Sequence, residues 1–308
     1  MSAPVVSVQG VSKRFGPVAA LDDVSFDLHR NGIYGLLGRN GAGKTTLMQL
    51  LTGQQFATGG TIRVFGADPV ENAAVLQRIS FVKESQRYPD TFKVRHVLFA
   101  GRLLHPAWDE AFARSLVADF QLPVGRPVKK LSRGMLSALG VIVGLASRAP
   151  LTFFDEPYLG LDAVSRQLFY DRLLADYAEF PRTVVLSTHL IDEVSDLIEH
   201  VLLIERGRIV LSEAVDTLRG QVVTLTGPAT AVDALTANTD ELHRDRLGGL
   251  TRATVRGTVS ADRAREAGVR VEPVSLQQLV VRITSASQPG RNSPGGSTPP
   301  TDAREAVS

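Results

Sequence analysis

The chain has 308 residues, of which 44% are hydrophobic and 21% are charged, as is ordinary for soluble globular proteins. It contains no cysteine, which excludes disulfides, thiolate zinc sites and cysteine nucleophiles. The 34 basic and 32 acidic residues nearly balance, whereas nucleic-acid-binding proteins concentrate Lys and Arg on one face. We therefore expect no nucleic-acid partner.

Neither the N-terminal region nor the most apolar run predicts a membrane segment. The first ten residues lack a basic flank followed by an apolar stretch, so no secretory signal is predicted. The most apolar run, residues 139–146, is far shorter than the ~20 residues that span a bilayer. We expect a cytoplasmic chain that reaches a membrane only through a partner.

Strand-like and helix-like segments alternate from residue 5 to about residue 218. The predicted strands are short apolar or alternating runs, at residues 5–8, 24–28, 33–37, 151–154, 183–186 and 201–204. The predicted helices lie at residues 45–52, 94–104, 109–120, 135–147, 165–178 and 191–198. This alternation predicts an α/β domain over residues 1–220, with a mostly parallel sheet covered by helices.

Residues 221–284 show a weaker pattern, which predicts a small accessory α+β domain. Its expected strands are residues 222–226, 253–256 and 269–271, and its expected helices are residues 230–237, 261–267 and 275–283. Residues 285–308 are rich in Ser, Pro, Gly and Thr. They lack the apolar side chains that would offset the entropy of ordering, so this tail is predicted to be disordered.

The loop after the strand at residues 33–37 matches the phosphate-binding pattern G-x-x-x-x-G-K-[ST] in full, between a strand and a helix as the motif requires. It consists of Gly38, Arg39, Asn40, Gly41, Ala42, Gly43, Lys44 and Thr45, followed by Thr46. Glycines let backbone N–H groups point inward, and the helix adds its positive end. Lys44 is predicted to reach the β- and γ-phosphates, and the Thr45 hydroxyl to bind Mg²⁺. The loop alone indicates a nucleoside triphosphate without deciding the chemistry, since kinases, GTPases, helicases and transport ATPases all use it; ATP and Mg²⁺ are the cofactors that we expect for this chain. A Gly-rich turn with a chance Lys-Thr is the alternative.

A second motif places two acids at the end of a hydrophobic predicted strand. Asp155 can hold Mg²⁺ through water, and Glu156 can orient or deprotonate the attacking water. A kinase needs no such base, so the pair favours hydrolysis of ATP. Solvated acids at a strand end are the alternative explanation for this pattern taken alone.

Residues 131–135 read Leu-Ser-Arg-Gly-Met and lead into a long apolar predicted helix. With the two motifs above, this segment resembles the ATP-binding subunits of ABC transporters, whose signature reads LSGGQ. The resemblance covers residues 5 to about 218 and keeps the order of every motif. It implies a P-loop NTPase core with an antiparallel β subdomain and a helical signature subdomain.

The resemblance also assigns further site residues. It implies that Phe15 stacks on adenine, that Asp162 belongs to the D-loop, and that His189 contacts the γ-phosphate as a catalytic residue. Each has an alternative: a core aromatic for Phe15, a helix cap for Asp162 and a structural histidine for His189. Ser132 and Gly134 would contact the ATP held by a second subunit.

The resemblance implies that the phosphate loop and signature of one chain cannot close on the same ATP, and that two ATP molecules lie between the two subunits of a homodimer or heterodimer. The resemblance further implies a transmembrane permease partner and a peripheral location on the cytoplasmic face of the membrane. The segments at residues 108–110, 128–135 and 272–284 look most like those of bacterial exporters with separate membrane subunits, which implies export. The alternative is a soluble ABC-type ATPase that acts on nucleic acid or ribosomes. The transported substrate is not encoded in these motifs.

The sequence departs from the family pattern at several positions. Arg133 replaces the first signature glycine, and Met135 replaces the glutamine. When residues 79–84 are aligned with a strand that the family usually has there, Glu84 stands where a glutamine is usual and is predicted to bind Mg²⁺ instead. Gln86 is the alternative residue for this role, and a solvated loop acid is the alternative explanation for Glu84. Tyr158 is a further departure, which we expect to be minor.

Overall fold

The strands of the computed structural model, which describes residues 3–84, 86–257 and 259–286, form three sheets. In chain order, the strands are β1 (Val6–Phe15), β2 (Val18–Leu28), β3 (Ile33–Leu37), β4 (Gly59–Val64), β5 (Ile79–Val82), β6 (Leu151–Asp155), β7 (Thr183–Thr188), β8 (His200–Glu205), β9 (Arg208–Ala214), β10 (Val222–Pro228), β11 (Asp240–Leu247), β12 (Leu250–Arg256) and β13 (Arg270–Pro273).

Helices connect most of these strands. They are α1 (Lys44–Leu51), α2 (Ala73–Leu76), α3 (Val94–Leu104), α4 (Glu110–Asp119), α5 (Arg133–Ala146), α6 (Ala163–Glu179), α7 (Ile191–Val194), α8 (Val215–Gln221), α9 (Ala229–Thr236), α10 (Ala261–Glu266) and α11 (Leu276–Ala286). The α7 helix is shorter than predicted. The chain closes in a turn after Val194, whose carbonyl accepts from the backbone N–H groups of Leu197 and Ile198.

The described residues divide into two compact units. The first comprises residues 3–222 and 273–277. Its larger sheet has the order β5-β6-β7-β3-β8-β9, and every neighbouring pair is parallel except β8 and β9. A separate antiparallel sheet has the order β2-β1-β4. The predicted α/β fold with a mostly parallel sheet and an antiparallel β subdomain is therefore confirmed.

Successive residues of β6 point to opposite faces of the parallel sheet, as the period of two requires. Phe153 is fully buried in the core that α1 and the antiparallel sheet share. Phe154 lies on the other face, with its ring 5.3 Å from that of Phe169 in α6. A Cβ on Gly144 of α5 would come within 2.6 Å of the Phe154 ring. Helices thus cover both faces, and the apolar character of β6 follows from that burial.

Three strands of the described region were not predicted, namely β4, β9 and β11. Each lies at one edge of its sheet and so pairs with a single neighbour. Much of β4 and β9 is exposed, and β11 has the largely polar sequence DELHRDRL. Edge strands carry polar side chains and lack the apolar pattern that marks a buried strand.

The second unit comprises residues 223–272 and 278–286 of the described chain. Its sheet has the order β11-β12-β10-β13, and β11 pairs with β12 in antiparallel fashion. Its core consists of six buried side chains: Leu225, Val232, Ala253, Val255, Ala264 and Val269. Of the tail predicted to be disordered, residues 285 and 286 end α11, and residues 287–308 lie outside the described residues.

Candidate functional site

The phosphate loop joins β3 to α1, and its glycines are required by its backbone. Gly43 adopts φ +112°, and a Cβ there would come within 2.7 Å of the Ala20 carbonyl in β2. Gly41 also has a positive φ, of +80°. Only glycine adopts such angles freely. Lys44 is buried, and its Nζ donates to the Gly38 carbonyl at 2.7 Å, which holds the amine inside the loop.

The parallel register brings the second motif to the same edge of the sheet. Leu37 of β3 pairs with Thr188 of β7, and Asp155 of β6 pairs with Ser187. The last residues of three neighbouring strands are therefore nearly level. The residues that follow them, which include the phosphate loop, Glu156 and His189, meet at the carboxyl edge, where open α/β sheets bind ligands.

Thr45 and Asp155 are in direct contact, since the Thr45 hydroxyl donates to Asp155 Oδ2 at 2.7 Å. Asp155 Oδ1 is buried and has no hydrogen-bond partner among the described residues. Burial raises the pKa of Asp155, although the Thr45 hydrogen bond opposes this. A buried carboxylate oxygen without a partner, beside a hydroxyl, is the hard oxygen donor set that Mg²⁺ prefers.

Magnesium would need further ligands at this place. In the described part of the chain, no group of three or more His, Cys, Asp or Glu side chains could hold a metal ion. Mg²⁺ ordinarily completes its six ligands with waters and substrate phosphates. The side chains present therefore fit a metal that arrives with a nucleotide and is held in part by it.

Glu156 has a left-handed backbone conformation, with φ +50°. A non-glycine residue in this region is strained by roughly 1–3 kcal/mol, and such residues cluster at functional sites. Its side chain is buried at the centre of a polar cluster. Glu156 Oε2 lies 2.9 Å from His189 Nδ1 and accepts from the Tyr158 hydroxyl, and Oε1 lies 3.6 Å from Lys44 Nζ.

A cavity of about 280 Å³ joins the phosphate loop to the acids. Its lining consists of Ala20, Asn40, Gly41, Gly43, Lys44, Thr45, Thr46, Glu84, Asp155 and Glu156. Ala42 is buried in the core beneath the loop. Nine of the predicted site residues therefore line one cavity, since Ala20 is the only lining residue that was not predicted.

The structure separates Glu84 from Gln86. Glu84 lines the cavity with the phosphate loop, whereas Gln86 lines a different cavity between β5, α3 and α5. The Glu84 carboxylate accepts from the Arg133 guanidinium at 3.2 Å. Two departures from the family pattern thus form an ion pair, although their side chains are 46% and 69% exposed and such pairs contribute little stability.

The remaining predicted residues lie outside the lining of that cavity. Ser132 caps α5 by accepting from the Met135 backbone N–H, and a Cβ on Gly134 would come within 2.6 Å of the Gly160 carbonyl. Asp162 caps α6. Phe15 is 47% exposed at the end of β1, and the amine of Lys13 lies 4.8 Å from the centre of its ring.

Comparisons with known proteins agree with this geometry. A family model described as ABC transporter matches residues 21–159. The daunorubicin resistance ATP-binding protein DrrA3 of Streptomyces coeruleorubidus is 30% identical over 296 residues, which cover 90% of this chain and 93% of that protein. This chain belongs to the ATP-binding proteins of ABC transporters.

Other members of the ABC family are also similar. The ABC transporter ATP-binding protein YtrB of Bacillus subtilis is 26% identical over 71% of this chain and 75% of its own length. A solved structure of an ATP-binding subunit of an ABC transporter has a TM-score of 0.64 at 22% identity, and covers 70% of this chain and 92% of its own. That structure has the same fold.

The ABC family accounts for the chemistry of the cavity, since its members bind and hydrolyse ATP. Among the described residues, no helix has both the length and the apolar character to cross a bilayer.

Tyr158 is the residue of the site whose contacts were not predicted from the sequence. It was noted only as a minor departure, yet its hydroxyl contacts Glu156, Thr188 and His189. Its position two residues after Glu156 was the available signal.

Proposed function

We propose that this chain hydrolyses Mg-ATP as one subunit of a dimer and thereby powers an ABC exporter with separate membrane subunits. The observation that carries the proposal is the placement of Glu156 beside the phosphate loop, in contact with His189 and 3.6 Å from Lys44. The Thr45–Asp155 contact lies in the same cavity.

In this proposal, Lys44 exchanges its carbonyl partners for the β- and γ-phosphates. Glu156 accepts a proton from a water molecule whose oxygen attacks the γ-phosphorus, and the bond from that phosphorus to the ADP oxygen breaks. His189 contacts the transferred phosphoryl group. Thr45 and Asp155 would hold Mg²⁺, with Glu84 as a further ligand, and the metal, when bound, would supply positive charge to neutralise the phosphates.

Binding of the base and the sugar end of ATP would fall to Phe15, whose exposed ring is available for stacking. The D-loop residue Asp162 would lie at the proposed dimer interface, and it caps α6 by accepting from the Ser165 backbone N–H at 2.7 Å. The strand that follows Phe15 contributes Ala20 to the nucleotide cavity.

The proposed dimer rests on the signature residues. Ser132 and Gly134 lie at the N-terminus of α5 and do not line the nucleotide cavity of their own chain. They are therefore available to an ATP bound by a second chain, toward which the helix would direct its positive end. One solved structure with the same fold, at TM-score 0.61 and 17% identity, is a dimeric bacterial ABC transporter cassette.

Export is supported by the names of the relatives. They include a doxorubicin resistance ATP-binding protein of Mycobacterium tuberculosis, 34% identical over 70% of this chain and 67% of its own length, and Nod factor export proteins. The membrane partner would hold the chain peripherally at the cytoplasmic face. A groove near residues 84–99 would grip a cytoplasmic helix of that partner, although core packing is the alternative role of its apolar residues. Of these, Val94 and Val97 are buried, and Phe99 is exposed.

Replacing Glu156 with Gln tests the proposal. The amide keeps the shape of the side chain but cannot accept a proton, so we expect ATP binding to persist while release of free phosphate falls by roughly 10²–10⁴-fold. A dimer trapped with ATP should appear in size-exclusion chromatography. Glu179→Gln, at an exposed position in α6, is the control and should leave turnover unchanged. Unchanged turnover in Glu156→Gln would overturn the assignment.

A second experiment tests the transport role. The membrane subunit should co-purify with this chain and alter its ATPase activity. An ATPase that no membrane partner affects would contradict the proposed role while leaving the chemistry of Glu156 intact.

A further inference from the structure

Tyr158 is almost completely buried, at 3% exposed, and its hydroxyl lies inside the catalytic cluster rather than in apolar surroundings. It accepts from the Thr188 hydroxyl at 3.0 Å and from the His189 backbone N–H at 3.2 Å. It donates its own proton to Glu156 Oε2. Burial and the neighbouring Glu156 raise the pKa of Tyr158 well above its usual range, so the hydroxyl keeps that proton.

These contacts determine where the His189 proton lies. The Tyr158 oxygen has two lone pairs, and the Thr188 hydroxyl and the His189 backbone N–H fill both. The His189 Nδ1 lies 3.0 Å from that oxygen and 2.9 Å from Glu156 Oε2. Since the Tyr158 oxygen can accept no third hydrogen bond, the His189 Nδ1–H group donates its hydrogen bond to Glu156 Oε2.

The two oxygens of the Glu156 carboxylate are therefore unequal. Oε2 accepts from both Tyr158 and His189. Oε1 is buried without a hydrogen-bond partner in the described part of the chain, and its nearest cation, Lys44 Nζ, is 3.6 Å away. A buried acceptor in this condition is unfavourable until a donor reaches it, and Glu156 lines the nucleotide cavity.

We propose that Tyr158 is a positioning residue of the ATPase reaction, which holds Oε2 of Glu156 so that Oε1 accepts the proton of the attacking water. The inference rests on the proposed role of Glu156 as general base. Tyr158 does not line the nucleotide cavity and would act only through the carboxylate. Without its hydroxyl, Glu156 keeps a single hydrogen bond, from the partly exposed His189, and can rotate away from the water.

The test is Tyr158→Phe in the full chain, assayed with saturating Mg-ATP at least 10 °C below the unfolding midpoint of every variant. Because small misplacement of a catalytic group costs up to about 10²-fold in rate, we expect kcat to fall roughly 10- to 100-fold. KM and the affinity for ATP should stay within about twofold, since no ATP contact is lost.

Tyr34→Phe is the matched control. Tyr34 is also buried, and its hydroxyl also hydrogen-bonds a backbone N–H, that of His29 at 2.8 Å, at the opposite end of the sheet. It should leave kcat unchanged. If Tyr158→Phe lowers stability, the double variant with Glu156→Gln still distinguishes a positioning role from a structural role. A positioning role predicts that the double variant is no slower than Glu156→Gln alone, whereas a structural role predicts a further loss.

The failure of this inference is distinguishable from failure of the proposed function. If Glu156→Gln abolishes hydrolysis while Tyr158→Phe keeps kcat within about twofold of the parent, the positioning role is wrong and the general base stands. If Glu156→Gln turns over normally, the base assignment and the inference that depends on it both fail. Equal losses from Tyr158→Phe in the two backgrounds would also overturn the inference.

Discussion

Asp176→Asn should strongly destabilise the first unit, although Asp176 lies outside the nucleotide cavity. Asp176 is 3% exposed in its side chain and contacts two arginines, accepting from Arg148 at 3.0 Å and lying 2.6 Å from Arg182. Arg148 has a second acid partner in Asp109, at 2.9 Å. Arg182 is 4% exposed, and among the described residues its ion pair is with Asp176 alone, so the variant leaves a buried cation uncompensated.

Removing one partner of a buried ion pair costs about 3–5 kcal/mol, because the remaining charge stays desolvated. For a unit of this size, that corresponds to a fall in unfolding midpoint of roughly 6–20 °C, at 2–4 °C per kcal/mol. The assay is urea unfolding followed by fluorescence of Trp108, the one tryptophan of the chain. Its ring packs against Gly101, so its emission reports unfolding of this unit.

Asp22→Asn is the control, because it removes similar chemistry at an exposed place. Asp22 accepts from Arg208 at 3.0 and 2.5 Å, and the two side chains are 45% and 62% exposed. Exposed pairs of this kind contribute about 0–1 kcal/mol. If Asp176→Asn lost less than about 1 kcal/mol, or no more than Asp22→Asn, the argument from burial would be refuted.

Two further predictions concern the nucleotide site. Burial raises the pKa of Asp155, so the nucleotide-free folded chain binds this proton more tightly than the unfolded chain, and folding stability falls as pH rises from the ordinary to the raised pKa. Asp155→Asn should therefore raise the free energy of unfolding at pH 7 by about 0.5–2 kcal/mol, while Mg-dependent phosphate release is lost. Equal stability of the variant and the parent chain in urea unfolding would contradict this prediction. Phe15→Ala should weaken ATP binding by about 1–3 kcal/mol if the ring stacks on adenine, as measured by calorimetry against Phe56→Ala, an exposed control; equal affinities would exclude stacking.

The buried elements of the chain were the most predictable. The strand at Ile33–Leu37 was predicted with its observed bounds, because a strand buried on both faces is apolar throughout. The edge strands β4, β9 and β11 escaped prediction, because an exposed strand is stabilised by pairing with a neighbour and not by its own pattern. The residues of an edge strand do not identify the strand with which it pairs.

The phosphate loop was predictable for a different reason. Its shape depends on neighbouring residues, since Gly41 and Gly43 adopt their positive φ angles within the loop that they build. Asp155 and Glu156 were found because the strand before them is short and apolar. That the Thr45 hydroxyl meets Asp155, 110 positions away, follows from the parallel pairing of strands that are distant in sequence.

The sequence by itself therefore determined that this chain holds a nucleotide, and which acid follows the buried strand. Tertiary structure alone decided that Glu84, and not Gln86, lines the cavity. It also decided that Tyr158 contacts the carboxylate of Glu156. A sequence motif consists of neighbouring residues that contact the same ligand. The contact of Tyr158 with Thr188 and His189 joins the ends of two strands, so it exists only once the sheet has formed.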